Sequence, residues 1–109
     1  MSKRLSLRPY NGSLYVCSDE KDYQRTHQRV FGERDVPLAS SGREGRFAGG
    51  CGSDQKWAYV IWYTSPHTLA HELSHVILHV FERCGIDPIA SGGEPFCYML
   101  SQLMLEAQE

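Results

Sequence analysis

The sequence lacks an excess of charge of either sign. Its 109 residues include 11 Lys and Arg against 13 Asp and Glu, so the formal net charge is only −2. Proteins that coat nucleic acid or bind anionic membranes carry a strongly basic surface. We therefore expect neither nucleic acid nor a membrane as a partner, and the short basic cluster of Lys3, Arg4 and Arg8 does not change this expectation.

Long hydrophobic runs and paired cysteine motifs are also missing. No apolar stretch approaches the roughly 18–20 residues that cross a membrane, and residues 1–8 lack the apolar segment of a secretory signal. The four cysteines form no Cys-x-x-Cys pair; they are Cys17, Cys51, Cys84 and Cys97. Because disulfides need an oxidising compartment, we expect a cytoplasmic protein with four reduced thiols, most of them buried.

The chain contains no internal repeat and no low-complexity tract. Apolar residues make up 41% and charged residues 22% of the sequence, which is typical of a folded protein. The length suits a single domain over residues 1–109. A domain of this size buries a modest core, so a bound metal ion would add useful stability.

The first part of the chain predicts a hairpin followed by a helix. We expect strands over 3–9 and 13–17, joined by a tight turn at Asn11-Gly12, a strong two-residue hairpin pattern. A helix over 19–31 follows, with Ser18 as its N-cap.

Residues 33–55 are polar and rich in glycine. A short strand over 46–50 is the only regular element that we expect there. The glycines of 42–52 indicate either a mobile lid or a bulged hairpin or irregular loop, and the second interpretation is the commoner one for such a run.

The second half predicts one strand and two helices. Residues 57–63 are aromatic and β-branched and form the strongest strand pattern in the chain. A helix is expected over 66–84, with Pro66 at its start and Gly85 closing it. The last helix begins at Glu94-Pro95 and runs to about residue 107. These elements predict an α+β fold, a small twisted sheet packed on two or three helices.

One motif in the first of these helices carries chemistry. His71-Glu72-Leu73-Ser74-His75 is an HExxH sequence, and residues four apart project from the same face of a helix. His71 and His75 can therefore bind one Zn²⁺ ion. Glu72 lies about 100° around the helix, where it would reach a water molecule beside the ion and act as a general base.

A catalytic zinc ion needs a third protein ligand. His79 extends the histidine stripe by another turn, but it lies too far along the helix axis to share the ion. Glu94 begins the next helix after the link 85–93, and it is the better candidate if the two helices meet there. Cys97, three residues later, is an alternative to Glu94.

An HExxH motif followed after 18 residues by a glutamate on a second helix resembles the pattern of the gluzincin metallopeptidases. Residues 57–105 look like a minimal form of that family. The segments Thr-Leu-Ala-His-Glu-Leu-Ser-His and Glu-Pro-Phe-Cys-Tyr are similar to small metallopeptidase-like proteins encoded by bacteriophages. The resemblance implies a minimal zincin-like domain that would work in the cytoplasm of a bacterial host.

The resemblance also implies roles for individual residues. His71, His75 and Glu94 would bind zinc, and Glu72 would be the general base. Family members stabilise the oxyanion with a Tyr or His, for which Tyr98 is our first candidate; the others are His67 and His79.

In that family the strand before the active-site helix forms the rim of the cleft, where a peptide adds as an extra strand. Residues 57–63 occupy that place here. The other interpretation, which is the commoner one for strand aromatics, is that these side chains simply pack in the core and pair across the sheet.

Two functional classes fit these observations. The first is a zinc-dependent hydrolase, most simply a peptidase acting on a peptide or protein. The second is a zinc-stabilised protein-binding module, such as a phage effector or assembly factor, with little or no catalysis. A structural zinc site has no use for a carboxylate beside an open coordination position, so Glu72 favours the enzyme.

Overall fold

The computed structural model describes residues 2–32, 38–41 and 44–109. Their elements, in chain order, are β1 (Lys3–Ser6), β2 (Ser13–Cys17), α1 (Glu20–Phe31), β3 (Leu38–Ser41), β4 (Gly45–Cys51), β5 (Trp57–Tyr63), α2 (Pro66–Cys84) and α3 (Glu94–Gln108). A short 3₁₀ turn precedes α3. The expected α+β fold, a sheet with three helices, is confirmed.

The sheet is mixed, with the strand order β1-β2-β5-β4-β3. β2 and β5 run parallel, and the other neighbouring pairs are antiparallel. β5 is therefore the central strand, hydrogen-bonded on both sides. The family-based alternative, in which a peptide adds to residues 57–63, is wrong for this reason, since β2 and β4 occupy both edges of β5.

Helices cover both faces of the sheet. Side chains alternate along β5, so Tyr59 and Ile61 face the core formed with α2 and α3, whereas Ala58 and Val60 face the core formed with α1. The interpretation of the aromatic strand as core is confirmed for Tyr59, which is completely buried.

The bounds of α2 are those expected from the sequence. Ser65 caps the helix in a capping box with Thr68, and Pro66 occupies the first turn. Gly85 ends the helix in the left-handed conformation, with φ of 71°. These local signals operate within a few residues, which explains why the sequence predicts this helix so well.

The β1–β2 connection differs from the expected tight hairpin. Ser6 pairs with Ser13, so β1 ends at residue 6 and the connection spans residues 7–12. Leu7 is buried, and the ring of Tyr10 packs edge-on against Phe81 of α2 at 5.8 Å. Anchoring of this connection in the core overrides the turn preference of Asn-Gly.

The start of α1 lies one residue later than predicted. Asp19, not Ser18, is the N-cap, and its carboxylate accepts a hydrogen bond from the backbone N–H of Asp22 at 2.7 Å. The carboxylate of Asp22 in turn accepts from the backbone N–H of Ser18 at 3.0 Å. Asp19 outcompetes Ser18 because this reciprocal pair satisfies two backbone donors.

The strand expected over 46–50 is confirmed as β4, which pairs antiparallel with β3 and β5. The hairpin interpretation of the glycine-rich stretch therefore holds for residues 45–51, and the interpretation as a mobile lid is wrong there. Gly49 has no room for a side chain, because a Cβ added there would lie 2.5 Å from the ring of Tyr59. The glycines thus allow neighbouring side chains to approach the backbone closely. The structure also contains β3, which the sequence did not predict. Gly42 lies outside the described residues.

No helix among the described residues is long and apolar enough to cross a membrane.

All four cysteines are free, as expected, but only Cys17 is buried. The expectation that most of them are buried is wrong for the other three, which are Cys51, Cys84 and Cys97.

Candidate metal centre

The HExxH motif places three potential ligands together on α2. One ligand atom each from His71, Glu72 and His75 lies within 4.8 Å of the other two. The two imidazole rings are nearly perpendicular, with an interplanar angle of 81°, and their Nε2 atoms are 3.3 Å apart. The structure therefore confirms that the helix directs both imidazoles to one point.

The Nε2 separation matches the geometry of a shared zinc ion. Two nitrogen ligands about 2.0–2.1 Å from a tetrahedral ion lie about 3.3 Å apart. The same separation also permits a hydrogen bond between the imidazoles if one of these nitrogens carries a proton. In both cases the nitrogens already have the spacing that zinc requires.

The orientation of His75 is set by β4. Its imidazole lies parallel to the ring of Phe47, with an interplanar angle of 2° and a centroid distance of 5.4 Å. Burial lowers the pKa of His75, and the neighbouring His71 lowers it further. Both effects favour the neutral imidazole, which is the form that binds a metal ion.

The carboxylate of Glu72 is buried between α2 and the sheet. The residue is only 4% exposed, and its Oε1 atom has no hydrogen-bond partner among the described residues. Burial raises the pKa of Glu72, and the nearby His71 opposes this shift. A buried carboxylate oxygen without a partner is costly and calls for a ligand, such as water, substrate or a cation.

Gly45 makes room for this carboxylate. A Cβ added at Gly45 would lie 2.8 Å from Glu72 Oε2 and 2.8 Å from the backbone oxygen of Trp62. No side chain fits without displacing one of these groups. Gly45 and Phe47 lie on the same face of β4, and together they form the sheet side of the candidate site.

Glu94 is not brought into this group, nor is Cys97. Glu94 is exposed at the start of α3, and two residues later Phe96 packs edge-on against Phe81 at 6.3 Å. Phe81 follows His75 by six residues, or about 9 Å along the helix axis. Because α2 continues for two turns beyond His75, the link to α3 begins at the far end of the helix. The histidine pair consequently faces β4, whereas Glu94 as the third ligand would place zinc between the last two helices.

Tyr98 also lies elsewhere. It is 71% exposed on α3 and lines a cavity of about 310 Å³ together with residues of the β1–β2 connection. None of the three HExxH residues lines this cavity. The role of Tyr98 in oxyanion stabilisation therefore gains no support from the structure.

The remaining histidines of the stripe have other partners. The Nδ1 atom of His79 is 2.7 Å from the hydroxyl of Tyr59, which itself accepts a hydrogen bond from Arg83 Nε at 3.1 Å. His67 contacts Ser65 Oγ and lies 3.8 Å from a carboxylate oxygen of Glu44. The expectation that His79 does not share the metal ion agrees with this arrangement.

Sequence reasoning missed Gly45 and Phe47. A period of two does run through Gly45, Phe47 and Gly49, which is typical of one face of a strand. This pattern predicts the strand, but it does not show which helix the strand meets, so it could not assign Gly45 and Phe47 to the site.

Comparisons with known proteins found no matching family model, no similar curated protein and no similar solved structure. The likeness to gluzincins therefore rests on the motif and its spacing.

Proposed function

We propose that this protein is a zinc-dependent hydrolase that cleaves a peptide or protein, with His71 and His75 as metal ligands and Glu72 as the general base. The observation that carries the proposal is the pair of Nε2 atoms 3.3 Å apart beside a buried carboxylate with an unpartnered oxygen. The gluzincin likeness, the minimal zincin-like domain and a role in phage-infected bacterial cytoplasm belong to the same proposal.

Zinc bound at this point would polarise a carbonyl group and make water acidic near neutral pH. The protein supplies the proton transfer. Glu72 accepts a proton from the attacking water at Oε1, which has no competing hydrogen bond among the described residues, and passes it to the leaving amine.

The surroundings of the motif suit this division of roles. The backbone at Gly45 and the ring of Phe47 close the inner side, so Glu72 is shielded from bulk water. His71 is exposed, and the outer side of the site is therefore open to a substrate. Shielding of the carboxylate strengthens its interactions with a bound substrate.

The test begins with the protein purified without chelator and without added metal. Native mass spectrometry should detect one zinc ion per chain, and incubation with a peptide library should yield cleavage products. Glu72→Gln should retain zinc and the fold while cleavage falls by roughly 100-fold or more. Glu82→Gln is the matched control, because Glu82 is an exposed glutamate on the same helix.

Cleavage that persists in Glu72→Gln would refute the mechanism, and failure of the folded protein to bind zinc would refute the metal centre. Zinc uptake without any cleavage would instead favour a zinc-stabilised binding module. The exposed apolar side chains of Tyr98 and Leu105 on α3 are the feature that favours this second candidate.

A further inference from the structure

A polar cluster one helical turn beyond the HExxH motif fastens α2 to the sheet. Tyr59 of β5 directs its hydroxyl to His79 and Arg83 of α2. We call these three residues the Tyr59 cluster. None of them belongs to the group of potential metal ligands, and the proposed hydrolysis uses none of them.

The hydrogen bonds of the Tyr59 cluster can run in only one direction. The Nε atom of Arg83 lies 3.1 Å from the Tyr59 hydroxyl oxygen and can only donate, because a guanidinium group has no acceptor. The hydroxyl therefore directs its own proton to the Nδ1 atom of His79, 2.7 Å away. Because Nδ1 must accept this proton, His79 is neutral and carries its own proton on Nε2.

A second proton on His79 would disrupt this arrangement. Both nitrogens of a charged imidazole donate, so Nδ1 and Arg83 Nε would donate to the same oxygen and the hydroxyl proton would lose its acceptor. Tyr59 is completely buried, so bulk water cannot accept this proton. Burial also raises the pKa of Tyr59, although Arg83 opposes this shift, so the hydroxyl keeps its proton. A buried donor without a partner is costly, and the cluster must therefore come apart.

The charges near His79 act in the same direction. Burial lowers the pKa of His79, the neighbouring Arg83 lowers it further, and Glu82 opposes the shift. The titratable groups on the elements packed against the imidazole are, among the described residues, His75, Glu82 and Arg83 of α2, Tyr59 of β5 and the thiol of Cys51 on the same face of β4.

We propose that the Tyr59 cluster is a pH-sensitive latch, which fastens the second half of α2 to β5 and opens when His79 takes up a proton. Arg83 extends the latch to two more groups, because it lies over the ring of Trp57 at 5.0 Å and donates through Nη2 to the backbone oxygen of Asn11. Repulsion between a charged His79 and Arg83 therefore acts on α2, β5 and the β1–β2 connection together. The latch does not depend on the proposed function.

The direction of the pH effect follows from the neutral state of His79. The ordinary pKa of histidine is 6.5, and the folded structure lowers it. As the pH falls below this value, the unfolded chain therefore takes up a proton before the folded chain does. The contribution of the latch to the free energy of unfolding is complete above pH 6.5 and is lost in acid.

NMR of the zinc-free protein tests the latch directly. At neutral pH we expect the Nδ1 atom of His79 to carry no proton, and the imidazole should titrate with a midpoint below 6.5. The indole of Trp57 lies edge-on to this imidazole, with centroids 5.6 Å apart, and its resonances should shift with the same midpoint. Trp62 is the internal control, because it packs against the core on the opposite face of the sheet.

Two variants separate the hydrogen bond from the charge. Tyr59→Phe should raise the titration midpoint of His79, because it removes the donor that favours the neutral imidazole. His79→Gln keeps an oxygen that accepts from the Tyr59 hydroxyl but cannot take up a proton. Denaturant unfolding of zinc-free His79→Gln at a series of pH values should therefore show a smaller loss of stability in acid. We expect unfolding to take up fewer protons than in the wild type, by at most about one per chain.

His67→Gln is the matched control, because His67 is an exposed histidine on the same helix, and it should leave the pH dependence of stability unchanged. Burial also lowers the pKa values of His27 and His75. Both residues are present in all the proteins compared, so their contributions cancel in the comparison.

Three outcomes would overturn the proposal. The first is a proton on Nδ1 of His79 at neutral pH, which would mean that Tyr59 does not donate to it. The second is a titration midpoint of His79 at or above 6.5. The third is an equal loss of stability in acid for the wild type and His79→Gln. If His79→Gln does not fold, the protonation state of His79 in the wild type and its midpoint in Tyr59→Phe decide the question.

Discussion

The aromatic ring of Phe47 and the imidazole of His75 lie parallel, at 2° to each other and with centroids 5.4 Å apart. Phe47 is 4% exposed and also stacks on Tyr59 at 6.2 Å. The orientation of a candidate metal ligand is thereby coupled to the central strand of the sheet. A supporting residue of this kind holds an imidazole in the rotamer that binds the ion.

We predict that Phe47→Leu weakens zinc binding roughly tenfold and lowers the free energy of unfolding by about 1–3 kcal/mol. The smaller side chain leaves the His75 ring free to rotate. Competition with a chromophoric chelator measures the zinc affinity, and thermal unfolding measures the stability. Phe96→Leu is the control, since it removes the contact with Phe81 and should lower stability without changing zinc affinity. Equal zinc affinity in the two variants would contradict the supporting role of Phe47.

Gly45→Ala should displace the Glu72 carboxylate, because the new Cβ would lie 2.8 Å from Oε2. We expect zinc binding to persist and peptide cleavage to fall by roughly 100-fold, as expected for a misplaced catalytic group. Gly85→Ala provides the control: its added methyl meets no neighbouring atom, but its φ of +71° costs about 1–2 kcal/mol. Stability should therefore fall in both variants and activity only in Gly45→Ala. Normal cleavage by a folded Gly45→Ala protein would show that the close approach of Gly45 does not matter for catalysis.

The family resemblance and the structure make opposite predictions for Glu94. The resemblance predicts that Glu94→Gln removes a zinc ligand, whereas the structure places Glu94 outside the group formed by His71, Glu72 and His75. On the structural argument we expect Glu94→Gln to leave zinc affinity within about twofold, while His75→Gln lowers it by more than roughly 100-fold. Measurement of the zinc bound per chain after dialysis distinguishes the two predictions. A large loss in Glu94→Gln would mean that α3 moves towards the histidine pair when zinc binds.

Thiol reactivity should separate Cys17 from the other cysteines. Burial raises the pKa of Cys17 to about 11, and a hydrogen bond with Thr26 opposes the shift only in part. A raised thiol pKa means that little thiolate exists at pH 8, so Cys17 should not react with Ellman's reagent in the native protein. The three exposed thiols should react at once, and the fourth only after unfolding in guanidinium chloride. Cys17→Ala should leave the number of thiols that react in the native protein unchanged and lower the number that react after unfolding by one. Rapid reaction of four thiols in the native protein would contradict the structure.

The sequence predictions are correct where the deciding interactions join residues close in the chain, and wrong where these interactions join distant residues. α2 could be placed from Ser65, Pro66 and Gly85 because capping acts over a few residues, and the juxtaposition of His71 and His75 follows from the helical repeat alone. The β1–β2 connection was not predicted correctly because Tyr10 contacts Phe81, a partner 71 positions away in the chain. Local turn preference does not include such contacts.

The sequence by itself determined the α2 helix, the pairing of its two histidines and the presence of a carboxylate between them. Only the tertiary structure decided what surrounds them: Gly45 leaves space for Glu72, Phe47 orients His75, and Glu94 lies beyond the end of α2. The physical reason is that helix periodicity is a property of neighbouring residues. The approach of one strand to a helix depends on the order of all five strands and on which side chains leave room between them.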